Sequence, residues 1–564
     1  MIRWNRFAAG LAILMGGMQV AHSQGLTTMN PSYTYANVLP SGFAPAGIGG
    51  LDFLGTDGVI CTWGGSDKTA GEVYILPGLA TGTTGIPVKI DGPLREPLGL
   101  RVVNGEIFVI TKPEFFKYTK QTDGSWKRSS VAKGWAFSGN WHHFAFGLVY
   151  SQGFFYFATG TAFPPDLNEN PERGSIIKVD PATGAFKALV KGLRNANGLG
   201  VGPDGELFTT DNQGDWVPTN KLVHIKEGRY YGYKTNKNST EGTPIAPPAI
   251  SMSYGDYSNS PTRILLLKDG PYKGQMLAGD VFYGGLQRYF LEKVGGEYQG
   301  AAFRFAGGGS NSINYGVNEL VPGPDGNIYV AGIGGGCCQM GGSTNWNYSG
   351  RNYGLGRLTP TTTVPFEILA MRSVAGGFEL EFTAPVSAAA ATATNYSVQS
   401  WTDVPSPGYG TGHKQNRENT TQITKVEVSS DKKKVTLSIG NLRTGRTYYV
   451  KVGSGVTMEG GGALRTGEAW YTLNKLGPAT DQVSKVVEDF SRSIKVGIRP
   501  GATAIELPFV QSYRVDLLGL DGRRIASAQG NAPGRLDVRG VRSGLYVVAG
   551  KVGSERFSQR VRIP

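Results

Sequence analysis

The chain has 564 residues, too many for one ordinary core, so several folded domains are expected. Only 18% of residues are charged, while 84 Gly, 26 Tyr and 25 Phe give a turn-rich, aromatic-rich balance that argues against helical bundles and for an all-β protein. The net charge of +13 is spread out, with no aromatic-basic motif of an RNA or DNA module; this excludes a nucleic-acid partner and leaves a solvated basic surface, one suited to acidic polysaccharide or lipid headgroups.

At the N-terminus, Arg3 and Arg6 precede an apolar run from Phe7 to Met15 and then Ala21-His22-Ser23, the small-x-small pattern read by signal peptidase. Residues 1–23 are therefore expected to be a signal peptide. No Cys stands at that junction, and no later stretch is apolar for the length of a membrane helix, so the mature protein is expected to be exported and to have no transmembrane segment. The three cysteines, Cys61, Cys337 and Cys338, are too few for a disulfide scaffold and lack the spacing that attaches c-type haem.

From about residue 40 to 360 one pattern recurs: an apolar pair, a gap, a tight turn, then a β-branched or aromatic strand. It runs Gly50-Leu51 with Asp57-Gly58, Gly99-Leu100 with Asn104-Gly105, Gly147-Leu148 with Gly153-Phe154, Gly198-Leu199 with Asp204-Gly205, and Leu320 with Asp325-Gly326. The first four copies lie about fifty residues apart, the period of a four-stranded propeller blade, and the turn dipeptides are hairpin signals. Gly274 to Phe282 reads as the inner strand of a further blade, which makes a six-bladed β-propeller. In a closed ring the first and last blades are neighbours, so a disulfide from Cys61 to Cys337 or Cys338 is expected.

Residues 364–474 alternate in short strands such as Thr424 to Val428 and Val435 to Ile439, as in an Ig-like β-sandwich. A linker, 475–493, follows. The last segment, 494–564, carries Tyr513 to Leu518, the turn Asp521-Gly522-Arg523, the strand Gly544-Leu545-Tyr546 and the basic end Arg560-Val561-Arg562-Ile563. It resembles the small C-terminal β-sandwich that sorts cargo through the type IX secretion system. That resemblance implies passage through the periplasm of a Gram-negative bacterium, contact with the type IX machinery, and a secreted or outer-membrane-associated cell-surface location.

Residues suited to chemistry cluster in the third and fourth blades. They are Asn140 to Tyr150 with His142 and His143, then Gly192-Leu193-Arg194-Asn195-Ala196-Asn197-Gly198, then Asp211-Asn212-Gln213-Gly214-Asp215, and Gly228 to Gly232. In this order they resemble the glucose/sorbosone dehydrogenase family over about residues 45 to 358. The resemblance implies a propeller holding pyrroloquinoline quinone and Ca2+ at the top of its channel and oxidising an aldose or related alcohol, with an external electron acceptor. It implies His143 as general base, Arg194 beside it in catalysis, Arg194 and Asn195 against the cofactor, and Gly214 and Asp215 at the metal; His142 and His224 read as structural. Imidazole suits the base role by its ordinary pKa, a guanidinium binds carboxylates as a fork, and Ca2+ takes oxygen ligands. The chain departs from the family where two arginines would bind the quinone carboxylates: Gly316 and Asn318 stand there, before Glu319. The alternative reading is a non-catalytic propeller that binds carbohydrate at the cell surface. A metal-dependent lactonase using Asn195, Asp211 and Asn212 is a third.

Overall fold

In the computed structural model, residues 28–239, 242–307, 313, 315–333, 353–477, 504–507, 512–519, 523–531, 534–552 and 555–563 are described. The chain divides into two compact units, residues 1–477 and 478–564. The described residues are built almost wholly from antiparallel strands, as the turn-rich composition predicts.

Six inner strands, Ile48–Leu54, Gly99–Val103, Ala145–Ser151, Gly200–Val201, Pro261–Leu266 and Val317–Pro322, each begin a four-stranded blade. Each lies against the next, and Val317–Pro322 lies against Ile48–Leu54, so the ring closes as a six-bladed propeller. The recurrent Gly-Leu pairs now have a physical reason. Leu51, Leu100, Leu148, Leu199 and Leu320 are fully buried between blades. A Cβ on Gly50 would stand 2.6 Å from the Leu100 nitrogen, and one on Gly99 would stand 2.8 Å from the Leu148 nitrogen, so only glycine lets adjacent inner strands approach so closely.

Two boundaries differ from the sequence reading. The propeller begins before residue 40, because Tyr33–Asn37 pairs with Gly354–Pro360 and supplies the outermost strand of blade six. In blade five the inner strand is Pro261–Leu266, and Met276–Asp280 is its second strand. The longer connection between those two strands disguised the repeat. The signal peptide, most of the linker and the Cys337-Cys338 end of the expected disulfide lie outside the described residues; the Cys61 thiol is buried 3.5 Å from the Pro97 carbonyl.

The sandwich has sheets ordered Ile368–Val374, Gly377–Phe382, Lys434–Ile439, Ile423–Val428 and Glu468–Leu473, Arg446–Val452, Tyr396–Thr402, Gln415–Glu418. These are the two strand orders of an immunoglobulin-type sandwich with an added edge strand. Met371, Phe378, Leu380, Leu437, Tyr448 and Tyr471 fill the space between them. The sandwich is no free spacer: the outer strand of blade five, Glu297–Ala306, pairs with Glu468–Leu473, so blade and sandwich share one eight-stranded sheet. Gly300, Ala301 and Ala302 sit opposite Thr472, Tyr471 and Trp470 in that pairing.

Arg288 lies at the same junction, fully buried. It donates to the Ile368 and Leu369 carbonyls at 2.6 and 2.7 Å and lies 3.5 Å from Glu367. It is therefore a structural cation and faces no cofactor. The second unit carries a sheet of Tyr513–Leu518, Arg524–Gly530, Gly544–Val552 and Glu555–Ile563, with Ala504–Leu507 paired to Gly534–Asp537, around Ile505, Val515, Leu517, Leu536 and Val548.

Candidate functional site

Inner strands run away from one face of the ring and second strands return to it. The starts of the former and the ends of the latter enclose an axial cavity of about 50 Å³. Its described wall has an apolar side, including Trp63, Phe144 and Phe146, and a polar side of Asn195, Asn197, Asn212, Ser260, Thr262 and Asn318.

One to three residues deeper along the inner strands the axis is plugged by charge. Glu319 of blade six lies 3.3 Å from both Arg101 of blade two and Arg263 of blade five. Arg101 also donates to the Leu51 carbonyl at 3.2 Å and Arg263 to that of Leu148 at 3.0 Å, so five blades meet at this cluster. Burial, then the neighbouring Arg101 charge, pulls Arg263 down to about 10, which leaves it charged at neutral pH.

Asp211, fully buried at the end of Leu207–Asp211, sets the cavity's rim. Its carboxylate accepts the backbone N–H groups of Arg194 at 3.1 Å and Asn195 at 2.7 Å, which locks the turn that carries both side chains. This is a positioning role that consumes the carboxylate, and no ligand reading of Asp211 survives it. Asn197 donates to Asn318 at 2.8 Å, and Asn318 in turn to the Gly49 carbonyl at 3.2 Å. Three acceptors at the rim have no partner: Asn195 Oδ1, Asn212 Oδ1 and Asp215 Oδ2.

The structure brings Arg194, Asn195 and Gly214 together, with Asp215 following Gly214, but the imidazole that joins them is His142 rather than His143. His143 places Nδ1 3.0 Å from Ser138 Oγ, and its Nε2 stands 2.5 Å from Glu169 Oε1 but outside hydrogen-bond geometry. His142 packs on Trp141, Phe144 and Phe163 and places Nδ1 2.6 Å from the Thr161 carbonyl. A carbonyl only accepts, so Nδ1 carries the proton and Nε2 is left as the acceptor. Burial, reinforced by Arg194, holds His142 well below the ordinary histidine range. Adjacent histidines in a turn cannot be told apart by spacing, which is why the sequence pointed to the neighbouring ring. His224 is structural as expected, stacked on Phe208 and 3.3 Å from Glu206.

Sequence reasoning missed Phe163 and Tyr409. The Arg194 guanidinium lies 5.9 Å from the Phe163 ring centre and 5.2 Å from that of Tyr409. Tyr409 comes from the sandwich, in the loop 403–414 that joins Tyr396–Thr402 to Gln415–Glu418. The loop is tied to the propeller by Trp216 N–H to the Ser406 carbonyl at 2.8 Å, Gly410 N–H to the Gly214 carbonyl at 3.1 Å, Gln213 to the Tyr409 hydroxyl at 3.3 Å, and the Lys414–Asp256 ion pair. A tyrosine between glycines in a Pro-Gly-Tyr-Gly-Thr-Gly loop is the composition of a binding loop, and that signal was available.

Gly214 packs under Arg194: a Cβ there would meet Arg194 Nε at 1.9 Å. Gly214→Ala is expected to push the guanidinium away from Phe163 and Tyr409, cost about 1–3 kcal/mol in denaturant unfolding and abolish any ligand affinity that depends on Arg194.

The folded state keeps His142 neutral while the unfolded chain protonates near 6.5, so the unfolded state binds more protons below that value. This contribution to stability is complete above about pH 6.5 and is lost as pH falls below it. Melting temperature measured from pH 8 to 5 is expected to drop below about 6.5, and less so in His142→Gln.

The described residues do not fit pyrroloquinoline quinone. Three carboxylates need cationic partners, yet Gly316 and Asn318 replace two arginines, Asn318 is committed to Gly49, and Arg288 serves the sandwich junction. The Gly214 carbonyl expected at Ca2+ accepts from Gly410.

No protein-family model matches the chain, and neither does any curated protein. Among solved structures it is similar to an oxidoreductase described as a glucose dehydrogenase from Thermus thermophilus, at 16% identity and a TM-score of 0.45, covering 58% of this chain and 100% of that one. It is also similar to the quinone-bound aldose sugar dehydrogenase of Streptomyces coelicolor, at 14% identity and 0.41, covering 58% and 99%. A third is the quinone domain of pyranose dehydrogenase from Coprinopsis cinerea, at 11% and 0.41, covering 60% and 97%. At such identities and TM-scores these likenesses carry nothing about chemistry, which rests on this chain's own residues.

Proposed function

We propose that the propeller is a saccharide-binding module whose site is the axial cavity and its rim. One observation carries this reading: the unsatisfied groups there are mainly oxygen acceptors, Asn195 Oδ1, Asn212 Oδ1 and Asp215 Oδ2, beside an aromatic wall of Trp63, Phe144 and Phe146. Buried acceptors without partners are costly, and a ligand rich in hydroxyl donors with an apolar face relieves them. The cavity takes the hydroxyls of one ring edge, and the rest of the ligand lies along the rim. Export by the N-terminal signal and type IX sorting by the C-terminal unit would place this module at a Gram-negative cell surface.

A second reading, oxidation of a sugar or related alcohol, is favoured by His142. Its neutral ring has Nε2 free to take a hydroxyl proton, and Arg194 is the nearby cation that would steady the alkoxide. The oxidation would also need a bound quinone with Ca2+ and an external electron acceptor, and the described residues do not fit that quinone.

Calorimetric titration of the mature chain with a panel of aldoses, with and without pyrroloquinoline quinone and Ca2+, separates the readings. Saturable sugar binding without quinone uptake or dye reduction is expected. Absence of sugar binding sinks the module, and turnover abolished by His142→Ala establishes the enzyme.

A further inference from the structure

Among the described residues, the buried arginines of unit one spend their donors on other parts of the protein, with one exception. Arg101, Arg173, Arg263 and Arg288 are buried and each donates to carbonyls or carboxylates. Arg194 is 5% exposed, yet among the described residues nothing accepts from its guanidinium. Asp211, the carboxylate closest to it in the turn, is taken by backbone N–H groups. Its nitrogens still touch solvent, so the fork is open to an incoming acceptor.

The surroundings define what that ligand presents. Phe163 and Tyr409, their ring centres 6.2 Å apart, stand together on one side of the guanidinium and Gly214 packs against its Nε, which leaves the rest of the fork to a ligand. An edge-on guanidinium pairs with a planar, two-oxygen anion. Asp215 and Glu169 each keep an oxygen without a hydrogen-bond partner nearby, and these repel a polyanion while welcoming hydroxyl donors. A single carboxylate on an otherwise neutral polyol meets both demands.

We propose that the ligand is an acidic saccharide of the uronate class, that its carboxylate pairs with Arg194, and that Tyr409 of the sandwich is the specificity-determining residue that holds the fork in place. This rests on the saccharide reading of the cavity. It also gives the sandwich a role in recognition: its loop 403–414 roofs a site whose floor belongs to the propeller, pinned at Gly214, Trp216 and Asp256. The ring of Tyr409 does the holding, since its hydroxyl meets only Gln213 at 3.3 Å.

The test titrates the full mature chain with glucuronate and galacturonate and with glucose and galactose, at low and high salt. Uronates are expected to bind at least about tenfold more tightly than their neutral parents, with the advantage shrinking as salt rises. Arg194→Gln is expected to reduce the uronates to the level of the neutral sugars. Tyr409→Ala should lose most of the preference and Tyr409→Phe should keep it; Tyr409 lies on an exposed loop, and an unchanged melting temperature verifies the fold of each variant. Equal affinity for acidic and neutral sugars, or full preference in Tyr409→Ala, overturns this inference and leaves the saccharide module standing. Binding of neither set overturns both.

Discussion

Glu319→Ala is expected to cost the fold about 3–5 kcal/mol in urea unfolding, the largest effect of any single polar substitution in the propeller. The carboxylate is 2% exposed and lies between Arg101 and Arg263 at the axis. Removing it leaves two buried guanidinium groups facing one another, with Asp52 the other carboxylate acting on Arg263. Because the cluster joins blades on opposite sides of the ring, the loss should speed unfolding of the whole propeller. Replacing Arg101, Arg263 and Glu319 together by Met and Leu residues of similar volume should restore most of the stability, since an apolar axis has no charge to strand. A single variant as stable as the parent would show that water enters the axis and screens the arginines.

Glu367→Ala should be comparably damaging, again about 3–5 kcal/mol, although Glu367 lies in the sandwich and outside the ring. Its carboxylate lies 3.5 Å from Arg288 and 3.1 Å from Arg465 and accepts from Tyr272 at 2.8 Å. A chain stopped at residue 363 goes further, because it removes Glu367, both carbonyls that receive Arg288, and the strand paired with Glu297–Ala306. That truncated propeller is expected to aggregate on expression, having a long apolar edge strand and an unpaired buried cation. A soluble, monomeric and cooperatively melting 24–363 product would disprove the dependence.

The propeller was legible because its determinants are local. Each blade repeats a close-packing glycine, a buried leucine and a tight turn, and those need no knowledge of the rest of the chain. Arg194, Asn195, Gly214 and Asp215 were legible as a neighbourhood for the same reason, lying in the turns before the first strand and after the second strand of one blade. What stayed hidden depended on distant contacts. Tyr409 reaches Arg194 from another domain, and nothing local in the sequence ties Arg288 to the Ile368 and Leu369 carbonyls it meets. His142 and His143 differ only in where a turn points each ring. The outer strand of blade five did carry a clue: Glu297–Ala306 is buried on both faces over most of its length, and its Gly300-Ala301-Ala302 centre favours another sheet alongside.

The pairing of Tyr33–Asn37 with Gly354–Pro360 also governs when the molecule can finish assembling. The first described strand has its partner at the far end of the propeller sequence, so early blades accumulate as an open arc with an unsealed seam. Such long-range closure makes folding slow and its late steps sensitive to exposure of the seam. A chain threaded outward from its N-terminus would present that first strand long before its partner arrives, and a holding factor that shields Tyr33 and Tyr35 in the interval would raise the yield of closed rings.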